Sequence, residues 1–277
     1  CETFLRPTGK GTFNPAYAYT VTPEDCRVFF RNITGCSMYA LERQLSELFI
    51  TIEGGIRIGI TGTASVENGR IRIVKDCMSF NIRIPRALTG CAKGIIGFIT
   101  GFQYVFTTFI ISPPGAGKTT LLRDIARMIS NGEGVKARNV AIVDERSEIA
   151  ACIGGVPQFD VGIRTDVLDN CPKAEGIRKL IRVMAPDVLV TDELGGAGDS
   201  EAILDAVNSG VAVIASAHAS SMAEVQKRPE LRELYENRVF ERFVILSKRL
   251  GPGTVEAIYD GSNALLYGHK ELGRLVQ

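Results

Sequence analysis

The chain has 277 residues, enough for a buried core in one large domain or two modest ones, and two is the expectation. With 32 basic against 31 acidic residues and 45% apolar residues, it has the balance of a globular protein, which excludes a polybasic nucleic-acid binder and a disordered tail. Seven cysteines without a C-x-x-C pair and only two histidines support neither a disulfide framework nor a zinc site, and they fit a reducing cytoplasm.

Residues 1–12 begin mid-pattern, without an initiating methionine or a signal sequence, and are expected to be a trimmed start. Pro23-Glu24-Asp25 opens a stretch to residue 49 in which Val28, Phe29, Ile33, Met38, Leu41, Leu45 and Leu48 recur at helical spacing. The period then changes to two. Residues 50–63 (ITIEGGIRIGITGT) and 70–84 (RIRIVKDCMSFNIRI) alternate apolar with polar, with Gly54-Gly55 and Asn68-Gly69 as turns, which predicts antiparallel strands with one exposed face. Arg57, Arg72, Arg83 and Arg86 project from that face or its end, and a solvated surface accounts for them. Residues 1–87 therefore read as a small α+β domain.

Residues 88–103 follow Pro85, are glycine-rich, and read as a linker. The overlapping run GIIGFITGFQYVFTTFII, residues 94–111, is about as long as the shortest membrane spans. Three glycines, Gln103, Tyr104 and three threonines dilute it, so it reads as a linker running into a buried strand. From there to the end, 104–277, strands predicted at 105–111, 140–144, 187–192, 211–217 and 243–247 alternate with helical patterns. That alternation argues a parallel sheet covered on both faces, closed by an antiparallel piece at 254–259.

The first of those strands runs into SPPGAGKTT, residues 112–120, and then into TTLLRDIARMIS, which Gly132 can cap. The phosphate-loop pattern G-x-x-x-x-G-K-[ST] is intact except that Ser112 replaces its first glycine. Pro114, Gly115, Ala116, Gly117, Lys118, Thr119 and Thr120 are thus the nucleotide-binding candidates. The glycines let backbone amides converge on phosphates, Lys118 reaches the β and γ oxygens, Thr119 ligates magnesium, and the helix N-terminus adds its dipole. No [NT]-K-x-D motif is present, which favours ATP over GTP.

Two strands end in an acidic pair, VAIVDE at 26 residues after Lys118 and VLVTDE at 74. The later position suits P-loop enzymes with an inserted strand, in which Asp192 organises magnesium with Thr119 and Glu193 positions or deprotonates the attacking water. Asp144 and Glu145 then lie on the neighbouring strand, either assisting or capping a helix. His218 ends the strand GVAVIASA at the edge where parallel sheets place ligands, and is either structural or a γ-phosphate sensor. Lys227-Arg228 and Lys248-Arg249 read as solvated faces.

SPPGAGKTT, VAIVDERSE, APDVLVTDELGG and GVAVIASAHAS, in that order, resemble the phosphate loop, aspartate box, Walker B strand and histidine box of the type II and type IV secretion-superfamily ATPases. FITIEGG, SFNIRI, IVDERSEIA, RTDVLDNCPKAEGI, FER and GPGTV bring the resemblance closer to the stage III sporulation AA family, over roughly residues 18–260. The resemblance implies a RecA-like P-loop ATPase domain with a mostly parallel sheet beside a smaller N-terminal α+β domain. It implies an ATP- and magnesium-dependent motor, hydrolysing ATP as a homohexamer, cytoplasmic, and held at the membrane between mother cell and forespore by the other products of the AA operon.

It also assigns catalytic roles to Glu193, Glu145 and His218, and lets Arg83 and Arg86 reach the nucleotide. Arg146, Arg164 and Arg182 are further candidates for a finger. Two features depart from the secretion pattern: Asp192 stands where glycine commonly precedes the Walker B glutamate, and Gly195-Gly196 replace an arginine and an aspartate. The alternatives are a nucleotide-gated assembly scaffold with incidental hydrolysis, and a nucleic-acid remodelling ATPase, which the lack of a basic stripe with interleaved aromatics disfavours.

Overall fold

The computed structural model describes residues 2–3, 19–35, 41–85, 87–196 and 198–268. The chain divides into two compact units, Cys1–Arg86 and Ala87–Gln277.

In the first unit a short antiparallel pair joins β1 (Glu2–Thr3) to β2 (Tyr19–Thr20). Helix α1 (Pro23–Thr34) starts where the sequence indicates: Thr22 and Asp25 cap each other reciprocally, Pro23 occupies the first turn, and Gly35 ends the helix in the left-handed region. After α2 (Glu42–Ser46), strands β3 (Phe49–Ile52), β4 (Ile56–Glu67) and β5 (Arg70–Arg83) form an antiparallel sheet in that order. The β4–β5 turn uses Asn68 and Gly69, both at positive φ, as a two-residue hairpin of primed type requires. Leu45, Ile50, Ile58, Ile60, Val74 and Cys77 are its buried core.

The second unit is built on an eight-stranded sheet. The strands are β6 (Thr108–Ser112), β7 (Val140–Asp144), β8 (Thr165–Asp169), β9 (Val188–Thr191), β10 (Ala212–His218), β11 (Arg242–Ser247), β12 (Thr254–Asp260) and β13 (Leu265–Gly268). Their spatial order is β13-β12-β11-β6-β10-β9-β7-β8; β11 through β8 run parallel, and β12 and β13 are antiparallel.

The helices are α3 (Ile96–Ile99), α4 (Lys118–Asn131), α5 (Lys173–Val183), α6 (Asp199–Asn208), α7 (Met222–Lys227) and α8 (Pro229–Glu236). Alternate strand residues feed two cores. Phe109, Ile111, Val143, Leu189 and Val213 face the layer containing α5, α6 and α8, while Ile110, Ile142, Val190 and Ile214 face α4. Burial on both faces is why these strands read as continuous apolar runs, and each fully buried aliphatic side chain contributes about 2 kcal/mol.

Two expectations are corrected. The 88–103 stretch is not a linker: Ala92, Ile95, Ile96 and Ile99 are buried in the α4-side core, and the Ala92 and Gly90 amides donate to Asp124 of α4 at 2.7 and 3.0 Å. Its glycines resemble linker composition, but its apolar residues pack against the sheet unit. Strand β8 lies outside the predicted strands, because an edge strand of half-buried residues with an exposed Asp166 (TDVLD) lacks the apolar run that marks its neighbours. No helix among the described residues is long and apolar enough to cross a membrane.

Candidate functional site

Strand register brings the chemistry to one edge. His218 pairs with Ser112 across β10 and β6, Thr191 pairs with Ala215 and Val143, and Asp192 follows directly on β9. The strand between β6 and β9 in space is β10, so the later acidic pair stands one strand away from the phosphate loop, and VAIVDE is its outer neighbour.

The loop from Ser112 delivers α4 with Lys118 at its first turn. Gly115 and Gly117 have φ of 68° and 90°, which disfavour any side chain, and a Cβ on Gly117 would lie 3.2 Å from the Gly253 nitrogen. The Ala116 carbonyl accepts from that same nitrogen at 2.8 Å, so the turn after β11 braces the back of the loop. Pro114 and Gly115 are exposed, Ala116 is buried, and Thr119 and Thr120 are half-buried on the first turn of α4.

Lys118 is buried and its Nζ lies 2.9 Å from His218 Nδ1, while His218 Nε2 lies 2.8 Å from Glu193 Oε1. The neutral tautomer that satisfies both contacts accepts at Nδ1 and donates from Nε2. Arg146 donates to the other Glu193 oxygen at 2.7 Å, completing a relay Arg146–Glu193–His218–Lys118. Burial would raise the Glu193 carboxyl, but Arg146, the His218 hydrogen bond and Lys118 together hold it below its ordinary value. Burial lowers Lys118, against the opposing pull of Glu193, Asp192 and Glu148.

The two acidic pairs differ in how their aspartates are used. Asp144 Oδ1 accepts from the Glu148 amide at 2.8 Å, and Oδ2 from Ile149 and Ala150 at 2.9 and 2.8 Å. Arg123 of α4 grips the same loop, bonding the Glu148 and Ile149 carbonyls and stacking on Phe159. Asp144 is thus consumed in shaping the 145–151 loop. Asp192 is 1% exposed, and neither of its carboxylate oxygens has a hydrogen-bond partner among the described residues. Burial first, then repulsion from Asp144, pushes its carboxyl up to about 7, with Lys173 pulling the other way.

Glu193 itself sits at φ 44°, a left-handed position that costs a non-glycine residue about 1–2 kcal/mol. Its backbone is held on both sides: its nitrogen donates to Ser216 Oγ at 3.3 Å and its carbonyl accepts from Lys173 Nζ at 2.8 Å. Lys173 is buried at the start of α5 and also pairs with Glu145 at 3.4 Å and Asp199 at 3.8 Å. Sequence reading missed Lys173 and Ser216 as supports of Glu193; the CPKAEG stretch was a family signature without a role, and a serine inside a buried strand gives no local sign. Lys173→Met is expected to destabilise the second unit by about 3 kcal/mol, by leaving Asp199 and the Glu193 carbonyl short of a cation. Urea unfolding checks it.

The remaining candidates disperse. Glu145 faces Lys173 and stays outside the relay. Arg164 bonds the Ser130 carbonyl near the far end of α4, and Arg182 is exposed on the last turn of α5, leaving Arg146 as the one of the three bonded to Glu193. Arg83 is exposed at the end of β5, and Arg86 lies outside the described residues.

The family model for sporulation stage III, protein AA, matches residues 10–266. The chain is 45% identical over 254 residues to the stage III sporulation protein AA of Bacillus subtilis (strain 168), covering 91% of this chain and 82% of that protein. Its structure is similar to the ATPase DotB of Legionella pneumophila, at TM-score 0.54 and 18% identity over 88% of this chain and 70% of that one. It is likewise similar to the pilus retraction motor PilT with bound ADP, at TM-score 0.57 and 16% identity over 98% of this chain and 78% of that one. At these identities the likeness establishes the fold, that of the RecA-like secretion ATPases. With a family model spanning residues 10–266 and a relative 45% identical over most of both chains, the chain belongs to the sporulation stage III, protein AA family.

Proposed function

We propose that the chain binds ATP and hydrolyses it, as the motor of a secretion-like transport apparatus in sporulation. The observation that carries this reading is the buried, unpartnered Asp192 carboxylate beside Glu193, whose side chain joins His218 and Lys118 in one relay. A dry carboxylate without a donor is poor for stability and well suited to a cation.

Asp192, with Thr119 at the second position of α4, fits a magnesium ion, which takes one or two protein ligands and completes its shell from phosphates and water. When bound, such an ion neutralises charge on the β and γ oxygens. Among the described residues no group of three or more His, Cys, Asp or Glu side chains is placed to hold a metal alone. The protein's own groups do the rest. Lys118 contacts the phosphates, and Glu193 takes a proton from the water whose oxygen attacks the γ-phosphorus as the bond to ADP breaks. Arg146 and His218 keep Glu193 ionised, and one of them must release an oxygen before the water can be engaged. Phosphates that draw Lys118 off His218 provide that release.

The reading extends to a homohexameric ring, cytoplasmic, attached to the membrane through the other AA-operon proteins, and without a nucleic-acid substrate. A nucleotide-gated scaffold is favoured by one feature, the engagement of both Glu193 oxygens, which holds hydrolysis back. Purified protein with magnesium and ATP is expected to release phosphate and to form closed rings in negative-stain images. ATP binding without turnover in any assembly state would sink the motor and leave the scaffold.

A further inference from the structure

Lys248 and Arg249 stand side by side at the end of β11, and their surroundings differ. Arg249 Nε donates to Glu256 Oε1 at 2.9 Å and a terminal nitrogen to Oε2 at 3.2 Å, so a buried carboxylate of β12 neutralises it. The Lys248 side chain makes no ion pair or hydrogen bond among the described residues; its carbonyl accepts from the Gly251 amide at 3.0 Å within the turn. Its ammonium stands instead against the phosphate loop, 3.1 Å from where a Cβ on Gly115 would lie.

The turn that carries it is fixed to the same loop. Gly253 donates to the Ala116 carbonyl at 2.8 Å, and the approach is closed enough that a Cβ on Gly117 would meet Gly253 at 3.2 Å. Within the turn, Thr254 Oγ1 donates to the Gly251 carbonyl at 2.7 Å and accepts from the Leu250 amide at 3.3 Å. A braced turn therefore holds an uncompensated cation over exposed Gly115, while Lys118, the loop's own cation, shares its ammonium with His218. A compact ammonium with three rotatable donors on a flexible stem suits a polyphosphate.

We propose that Lys248 is a second phosphate-contacting cation of the nucleotide site, supplied by the same chain from the β11–β12 turn. The proposal rests on the nucleotide reading given above. It assigns the GPGTV turn a purpose, which is to press Lys248 onto the phosphate loop.

The test is calorimetric titration of the full chain with ATP and with ADP in magnesium, comparing wild type, Lys248→Met and Lys248→Arg. Lys248→Met is expected to weaken both nucleotides about tenfold, the size of one charge-assisted hydrogen bond. Lys248→Arg should hold most of the affinity. The gap between wild type and Lys248→Met should shrink as salt rises, because the contact is at a solvated rim. Melting temperatures without nucleotide should be equal, since the Lys248 side chain makes no described bond and the substitutions leave its backbone bond to Gly251 in place. Lys248→Met binding as tightly as wild type, or a gap indifferent to salt, overturns the proposal alone. A wild-type chain that binds neither nucleotide overturns the nucleotide reading and this proposal together.

Discussion

Glu193→Gln is expected to lower ATP turnover about a thousandfold while ATP still binds. The amide matches the carboxylate in shape and can still contact His218, but it cannot accept the proton of the attacking water. It also loses the charge that pairs with Arg146. Lys118→Ala acts earlier, removing the loop cation and with it most of the affinity for phosphates. Steady-state turnover beside ATP titration separates the two variants, and Glu193→Gln with wild-type turnover would remove Glu193 from the chemistry. In sporulating cells, equal loss of function in both variants supports the motor, whereas a working Glu193→Gln beside a dead Lys118→Ala supports the scaffold.

Asp192→Asn is expected to stabilise the protein at pH 8, and Asp144→Asn to destabilise it. The Asp192 carboxyl is pushed up to about 7 in the fold, against about 3.9 in an unfolded chain. Between those values the folded state binds a proton that the unfolded state does not, so stability falls as pH rises through the window. By pH 8 the buried charge costs on the order of 4 kcal/mol, which Asn removes. Thermal melts should place Asp192→Asn several degrees above wild type at pH 8 and close to it near pH 4.5.

Asp144 is also raised by burial, against three amide donors that stabilise its charge. Asn offers those amides a single acceptor oxygen, so Asp144→Asn should lose about 2 kcal/mol and loosen the 145–151 loop. If Asp192→Asn were no more stable than wild type at pH 8, its carboxylate would not be an uncompensated charge and the magnesium assignment would lose its support. The opposed signs come from two aspartates in closely similar stretches, VAIVDE and VLVTDE, at the ends of adjacent strands.

The sequence by itself determined what short-range pattern controls. Apolar runs bounded by turns mark β7, β9, β10 and β11, because strands buried on both faces carry apolar residues at most positions. The phosphate loop is legible because its glycines, Lys118 and Thr119 act within one turn of each other. Tertiary structure decided what depends on residues far apart in the chain. Whether an aspartate is free or consumed depends on whether a loop folds its amides back, as 148–150 do onto Asp144 and nothing described does onto Asp192. The hold of Lys173 on Glu193 and the approach of Lys248 to Gly115 exist only once α5 and the β11–β12 turn are brought against the sheet edge. The 88–103 stretch gives the same lesson in packing, since glycine content predicts a flexible connection and only the exposed α4 face it covers makes it core.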